Sequence, residues 1–138
     1  MKAIFLNPED ILTLGNLDVS INNLKQVALT TNATLILPYA IKIPKELLYI
    51  CFKYNIPYDI NANCAEPNRY ATDKELEILD YIQINKVNNY LILDSFFGYY
   101  HLLLDNVITC CTPDGICDKI ATEVINYLNN TSHFAGVQ

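Results

Sequence analysis

Short apolar runs at Ala3–Leu6, Thr34–Leu37, Tyr90–Leu93 and Val107–Cys110 alternate with stretches whose apolar residues recur at helical spacing. Each run is too short for a helix and is apolar at successive positions, which is the pattern of a strand covered on both faces. Such strands need helices on either side to bury them. The alternation therefore predicts an α/β fold: a three-layer αβα, Rossmann-like arrangement around a mostly parallel sheet.

The intervening segments carry their own signals. Ser20 is placed to cap a helix over Ile21–Leu29, with Ile21, Leu24, Val27 and Ala28 on the inner face. Pro44 suits the first turn of a helix over Lys45–Tyr54, whose expected buried stripe is Leu47, Leu48, Cys51 and Phe52. Ile56–Ile60 reads as a further strand, with Pro57 pointing to an edge position or a loop. The polar stretch 61–71 reads as a surface loop. Thr72-Asp73-Lys74-Glu75 has the form of a capping box, opening a helix to about Lys86 with Leu76, Leu79, Ile82 and Ile78 toward the sheet. A last helix is expected over Asp118–Asn129.

Residues 1–129 are expected to form one domain and 130–138 a flexible C-terminal tail. A hydrophobic fraction of 51% against 17% charged residues gives no compositional basis for disorder. The net charge of -6, with no basic run, argues against nucleic acid as a partner. No apolar stretch has the length of a membrane span or of a signal-peptide core, so no membrane association and a cytoplasmic location are expected. The five cysteines are odd in number and irregular in spacing, and read as free thiols. Abundant Asn and Ile are what an AT-rich coding sequence would impose, as in some viruses and parasites.

In a parallel sheet of this kind, chemistry collects beyond the carboxyl ends of the strands, near the point where strand order reverses. That places Asn7, Glu9, Asp10, Pro38 and Asp94 on one rim. A carboxylate at Asn7 could attack phosphorus or hold a metal. An amide is a poor replacement for either role.

The run Phe5-Leu6-Asn7-Pro8-Glu9-Asp10-Ile11-Leu12, followed by Thr34-Leu35-Ile36-Leu37-Pro38 and Tyr90-Leu91-Ile92-Leu93-Asp94-Ser95, resembles the ordered motifs of the haloacid dehalogenase-like phosphatase superfamily. It is most similar to the small members associated with RNA repair or encoded by viruses and microbes. In that superfamily the first strand ends in Asp-x-Asp-Gly-x-Leu/Val, the first aspartate being the nucleophile and the second the general acid. Asn7 stands at the nucleophile position, Glu9 at the general-acid position and Asp10 in place of the glycine. Pro38 stands where the second motif has its phosphate-binding hydroxyl. Lys42, Lys45 and Lys86 are only loosely placed as the basic residue of the third motif. Asp94 matches the metal-binding acid of the fourth, and Ser95 stands where many relatives place a second acid.

The resemblance thus implies a phosphatase fold with degenerate motifs. The expected function is binding or scaffolding, with a protein partner or self-association. The alternative is a divergent magnesium-dependent phosphatase or nucleotidase in which Glu9 or Asp10 has become the nucleophile. No cofactor is expected in the first reading; in the alternative, magnesium would be held by Asp94 and Asp10. The aromatic stretch Phe96–Leu104 is the expected binding face, through Tyr99 and Tyr100.

Overall fold

The computed structural model describes residues 1–8, 12, 16–38, 43–61, 72–110 and 115–130, with Thr72 and Asp73 described by backbone alone. The elements are β1 (Lys2–Leu6), α1 (Leu17–Thr31), β2 (Thr34–Pro38), α2 (Lys45–Tyr54), β3 (Tyr58–Asn61), α3 (Thr72–Asn85), β4 (Asn89–Asp94), β5 (Val107–Thr109) and α4 (Asp118–Asn129). The five strands form one sheet of order β3-β2-β1-β4-β5, and every neighbouring pair is parallel. The three-layer αβα fold predicted from the alternating pattern is the fold observed. No helix among the described residues is long and apolar enough to cross a membrane.

Alternation along β1 separates two cores. Ile4 and Leu6 join one cluster with Leu24, Leu47, Val124 and Leu128, so α1, α2 and α4 cover that face. Ala3 and Phe5 join the other with Ile78, Tyr81, Tyr100 and Leu103, so α3 and the β4–β5 crossover cover the second face. The distribution follows from the handedness of parallel crossovers. The chain moves outward from β1 to β3, then returns across β1 to β4, and the return helix must lie on the opposite face.

Asparagine defines several helix ends. The Asn16 side chain accepts the Val19 amide at 3.2 Å, so α1 is capped four residues before the expected Ser20. Ser20 is instead buried within α1, where its hydroxyl accepts the Ile116 amide at 3.1 Å. Asn32 and Asn55 close α1 and α2 in the left-handed conformation, at φ 58° and 55°. Asparagine tolerates that region better than most residues, so a compositional bias here has a structural use.

Two expected inner faces are corrected. In α2 the side chains that pack inward are Leu47, Ile50 and Cys51, with Tyr54 against them, while Leu48 is exposed and Phe52 is 86% exposed. In α3 Ile78, Leu79 and Ile82 pack on the sheet side as expected, joined there by Glu75 and Tyr81, while Leu76 is exposed. Asn61, expected to begin a loop, ends β3 and is buried, donating to the Glu77 carbonyl at 3.2 Å.

Candidate functional site

The strand order reverses between β1 and β4, which pair directly with Leu6 opposite Leu93. One step further in that register brings Asn7 opposite Asp94. On the other flank Phe5 is level with Ile36, so Pro38 comes level with Asn7. Side chains alternate across a sheet, so Asn7, Pro38 and Asp94 follow Phe5, Ile36 and Ile92 onto the α3 face. Glu9 and Asp10 lie outside the described residues.

Asp94 is the buried acid of this rim, 2% exposed. Its Oδ2 accepts the Tyr100 hydroxyl at 2.6 Å, and its Oδ1 accepts the Phe96 amide at 3.3 Å. The Lys74 ammonium lies 3.6 Å from the same Oδ2. Lys74 also sits 4.4 Å from the centre of the Tyr99 ring, a cation–π distance. Burial, then the charge and hydrogen bond of Asp94, push the Tyr100 phenol well above its ordinary range. Tyr100 is therefore a neutral donor to a charged acceptor.

A second carboxylate holds the same segment. Glu75 Oε2 accepts the amides of His101 at 2.6 Å and Leu103 at 3.1 Å. Burial alone would raise its pKa, yet the amides of Leu103, His101 and Leu102 and the His101 charge together leave the carboxyl below its ordinary value. Glu75 thus has a long-range role that the capping-box expectation does not contain.

Asp94 and Glu75 between them pin the crossover from β4 to β5. Its first turn is an aromatic stack: Phe96 meets Phe97 at 5.7 Å and Tyr99 at 5.0 Å between ring centres. Gly98 leaves room for the Phe96 ring, which would have to shift to admit a Cβ 2.4 Å away. Phe96, Phe97, Leu102 and Leu104 remain exposed, whereas Tyr100 is 4% exposed. The expected binding face is corrected accordingly: Tyr100 is an internal support, Tyr99 is half-buried beneath Lys74, and the outward apolar groups are phenylalanine and leucine.

The sequence reading missed Lys74 as part of the rim. It sits in the first turn of the helix that precedes β4, and that place in the chain was the available signal. Lys45 belongs instead to α2 on the opposite face, Lys86 follows the last residue of α3, and Lys42 lies outside the described residues.

The donor set was tested against a divalent cation. Among the described residues no group of three His, Cys, Asp or Glu side chains converges. Asp94 has an ammonium and a phenol on one oxygen, and its neighbours across the sheet are the neutral amide of Asn7 and Thr109, with Pro38 one strand beyond Asn7. Of the described rim residues Asn7, Pro38 and Asp94, only Asp94 offers a carboxylate, against the several oxygen ligands that magnesium takes. Cys51 and Cys110 are buried and Cys117 is half-buried.

The fold and rim define a Rossmann-like αβα protein, an architecture consistent with the haloacid dehalogenase-like superfamily and shared by other Rossmann-like proteins. Comparison with protein-family models, curated proteins and solved structures gives no match.

Proposed function

We propose that this chain is a catalytically degenerate haloacid dehalogenase-like domain that serves as a binding or scaffolding protein. The observation that carries this reading is the engagement of Asp94. Its carboxylate, at the position where an active relative would hold a metal, is buried under Tyr100, the Phe96 amide and Lys74. Asn7 supplies no anionic nucleophile beside it, and Pro38 offers neither a hydroxyl nor an amide for a phosphoryl group.

The same contacts support the binding half of the reading. They hold a crossover that presents apolar side chains to solvent, and a pre-ordered loop loses less entropy when a partner docks. Titration of magnesium into the protein, followed through backbone amide resonances, tests the reading. The expected result is no saturable shift at Asn7, Asp94 or Phe96. A saturable response centred on those residues, lost in Asp94→Ala, would contradict it.

A further inference from the structure

The sheet ends in two edge strands, β3 and β5. β5 has three residues, too few to offer a neighbour a ladder of any length. β3 has four, and its Tyr58 and Asp59 are exposed. The Leu35 amide donates to the Pro57 carbonyl at 2.9 Å, which fixes the phase of the parallel β2–β3 ladder. Pro57, Asp59 and Asn61 thus direct their backbone groups toward β2, and Tyr58 and Ile60 direct theirs away from the sheet. An outward row of this kind is a template for another strand.

One of those outward amides is occupied from within the chain. Ile60 N–H donates to Asp59 Oδ1 at 2.9 Å, and Asp59 Oδ2 accepts the Tyr81 hydroxyl at 2.7 Å. Tyr81 is fixed in the core: it is 4% exposed, and its ring meets Phe5 of β1 edge-on at 5.6 Å. A core side chain therefore aims the carboxylate at the edge. Aspartate is depleted in strands because its side chain competes for backbone groups, and at Asp59 that competition falls on the amide a neighbouring strand would use.

We propose that Asp59, aimed by Tyr81, guards the β3 edge against strand addition, by occupying the Ile60 amide and by setting a negative charge in the path of an incoming strand. Without the guard, the outward groups of Tyr58 and Ile60 pair with the same strand of a second copy, and two sheets join edge to edge. The guard lies at the edge opposite β5 and does not depend on the chemistry of the Asp94 rim.

Sedimentation velocity over a concentration series tests this with wild type, Asp59→Ala, Asp80→Ala and the double variant Tyr58→Lys with Asp59→Ala, circular dichroism checking the fold of each. Asp59→Ala is expected to associate at a concentration roughly tenfold or more below that needed by wild type. Asp80→Ala removes the same charge from an exposed position of α3 and is expected to match wild type. The double variant brings the net charge of -6 still closer to zero yet restores a charge to the edge, so it is expected to return to wild-type behaviour. Amide exchange in dilute protein is the second measurement. Ile60 is expected to exchange roughly tenfold or more faster in Asp59→Ala, and faster to a smaller degree in Tyr81→Phe, with β1 unchanged.

Association of a folded Asp59→Ala no stronger than wild type, equal gains in Asp59→Ala and Asp80→Ala, or a double variant that still associates would overturn the proposal. A loss of fold in Asp59→Ala moves the decision to Tyr81→Phe, which lacks one hydroxyl, and wild-type exchange at Ile60 there would overturn it equally.

Discussion

The Tyr100 hydroxyl donates to Asp94 Oδ2 at 2.6 Å, tying the β4–β5 crossover back to the carboxyl end of the strand it leaves. Tyr100→Phe removes that donor and leaves a buried carboxylate oxygen short of a partner. The expected loss of stability is about 1–3 kcal/mol, read as a lower urea midpoint with unchanged slope. Alkaline pH gives a second reading. The phenol is raised in the folded state, so its contribution is complete below the unfolded value of about 10 and declines as pH rises above it. Wild type should therefore lose stability more steeply than Tyr100→Phe above that pH, and parallel curves would contradict the assignment.

Glu75 governs the acid side. Its carboxyl is depressed in the folded state, so its stabilisation is complete above the unfolded value of about 4.3, declines as pH drops below it, and is gone below the depressed folded value. Glu75→Gln should flatten the acid limb of the stability curve. Amide exchange at His101 and Leu103, the groups Glu75 holds, should accelerate in Glu75→Ala more than exchange within β1.

These two residues also show what the sequence could and could not reveal. The limits of α2 and α4 were legible, because Lys45–Tyr54 and Asp118–Asn129 have clear starts and regular apolar spacing. The inward arc of α2 was not. Leu47, Leu48, Cys51 and Phe52 make as good a stripe as Leu47, Ile50, Cys51 and Tyr54, and only the packing of α2 on the sheet distinguishes two overlapping arcs. The rim positions of Asn7, Pro38 and Asp94 followed from strand order. The Lys74–Asp94 pair and the Glu75 bonds to His101 and Leu103 did not, because they join residues far apart in the chain, whereas the sequence offered a local capping role for the same helical turn.

A polar clamp joins α1 to the start of α4. Asn23 Nδ2 donates to the Ile116 carbonyl at 2.8 Å and to Asp118 Oδ1 at 3.1 Å, beside the Ser20–Ile116 bond. Asn23→Leu leaves a buried carbonyl without its donor and is expected to cost about 1–3 kcal/mol in urea denaturation. Asn22→Leu, at an exposed neighbouring position, should change stability by less than about 0.5 kcal/mol. Equal effects would contradict the clamp.

Burial pushes the Cys51 thiol up to about 11. At about pH 8 it should therefore resist alkylation in the folded protein, since the thiolate is the reactive form. Peptide mass spectrometry should show Cys117, half-buried, modified before Cys51, with Cys51 following the rate of unfolding. Rapid modification of Cys51 without loss of structure would contradict its place in the core.

The central claim is that the rim holds the crossover in place and performs no phosphoryl chemistry. Magnesium-dependent hydrolysis of a generic aryl phosphate, measured side by side for wild type, Asp94→Ala and Glu9→Ala, tests it most directly. The account predicts the buffer rate in all three, with Asp94→Ala distinguished only by lower stability. Turnover by wild type that is lost in both variants would contradict it.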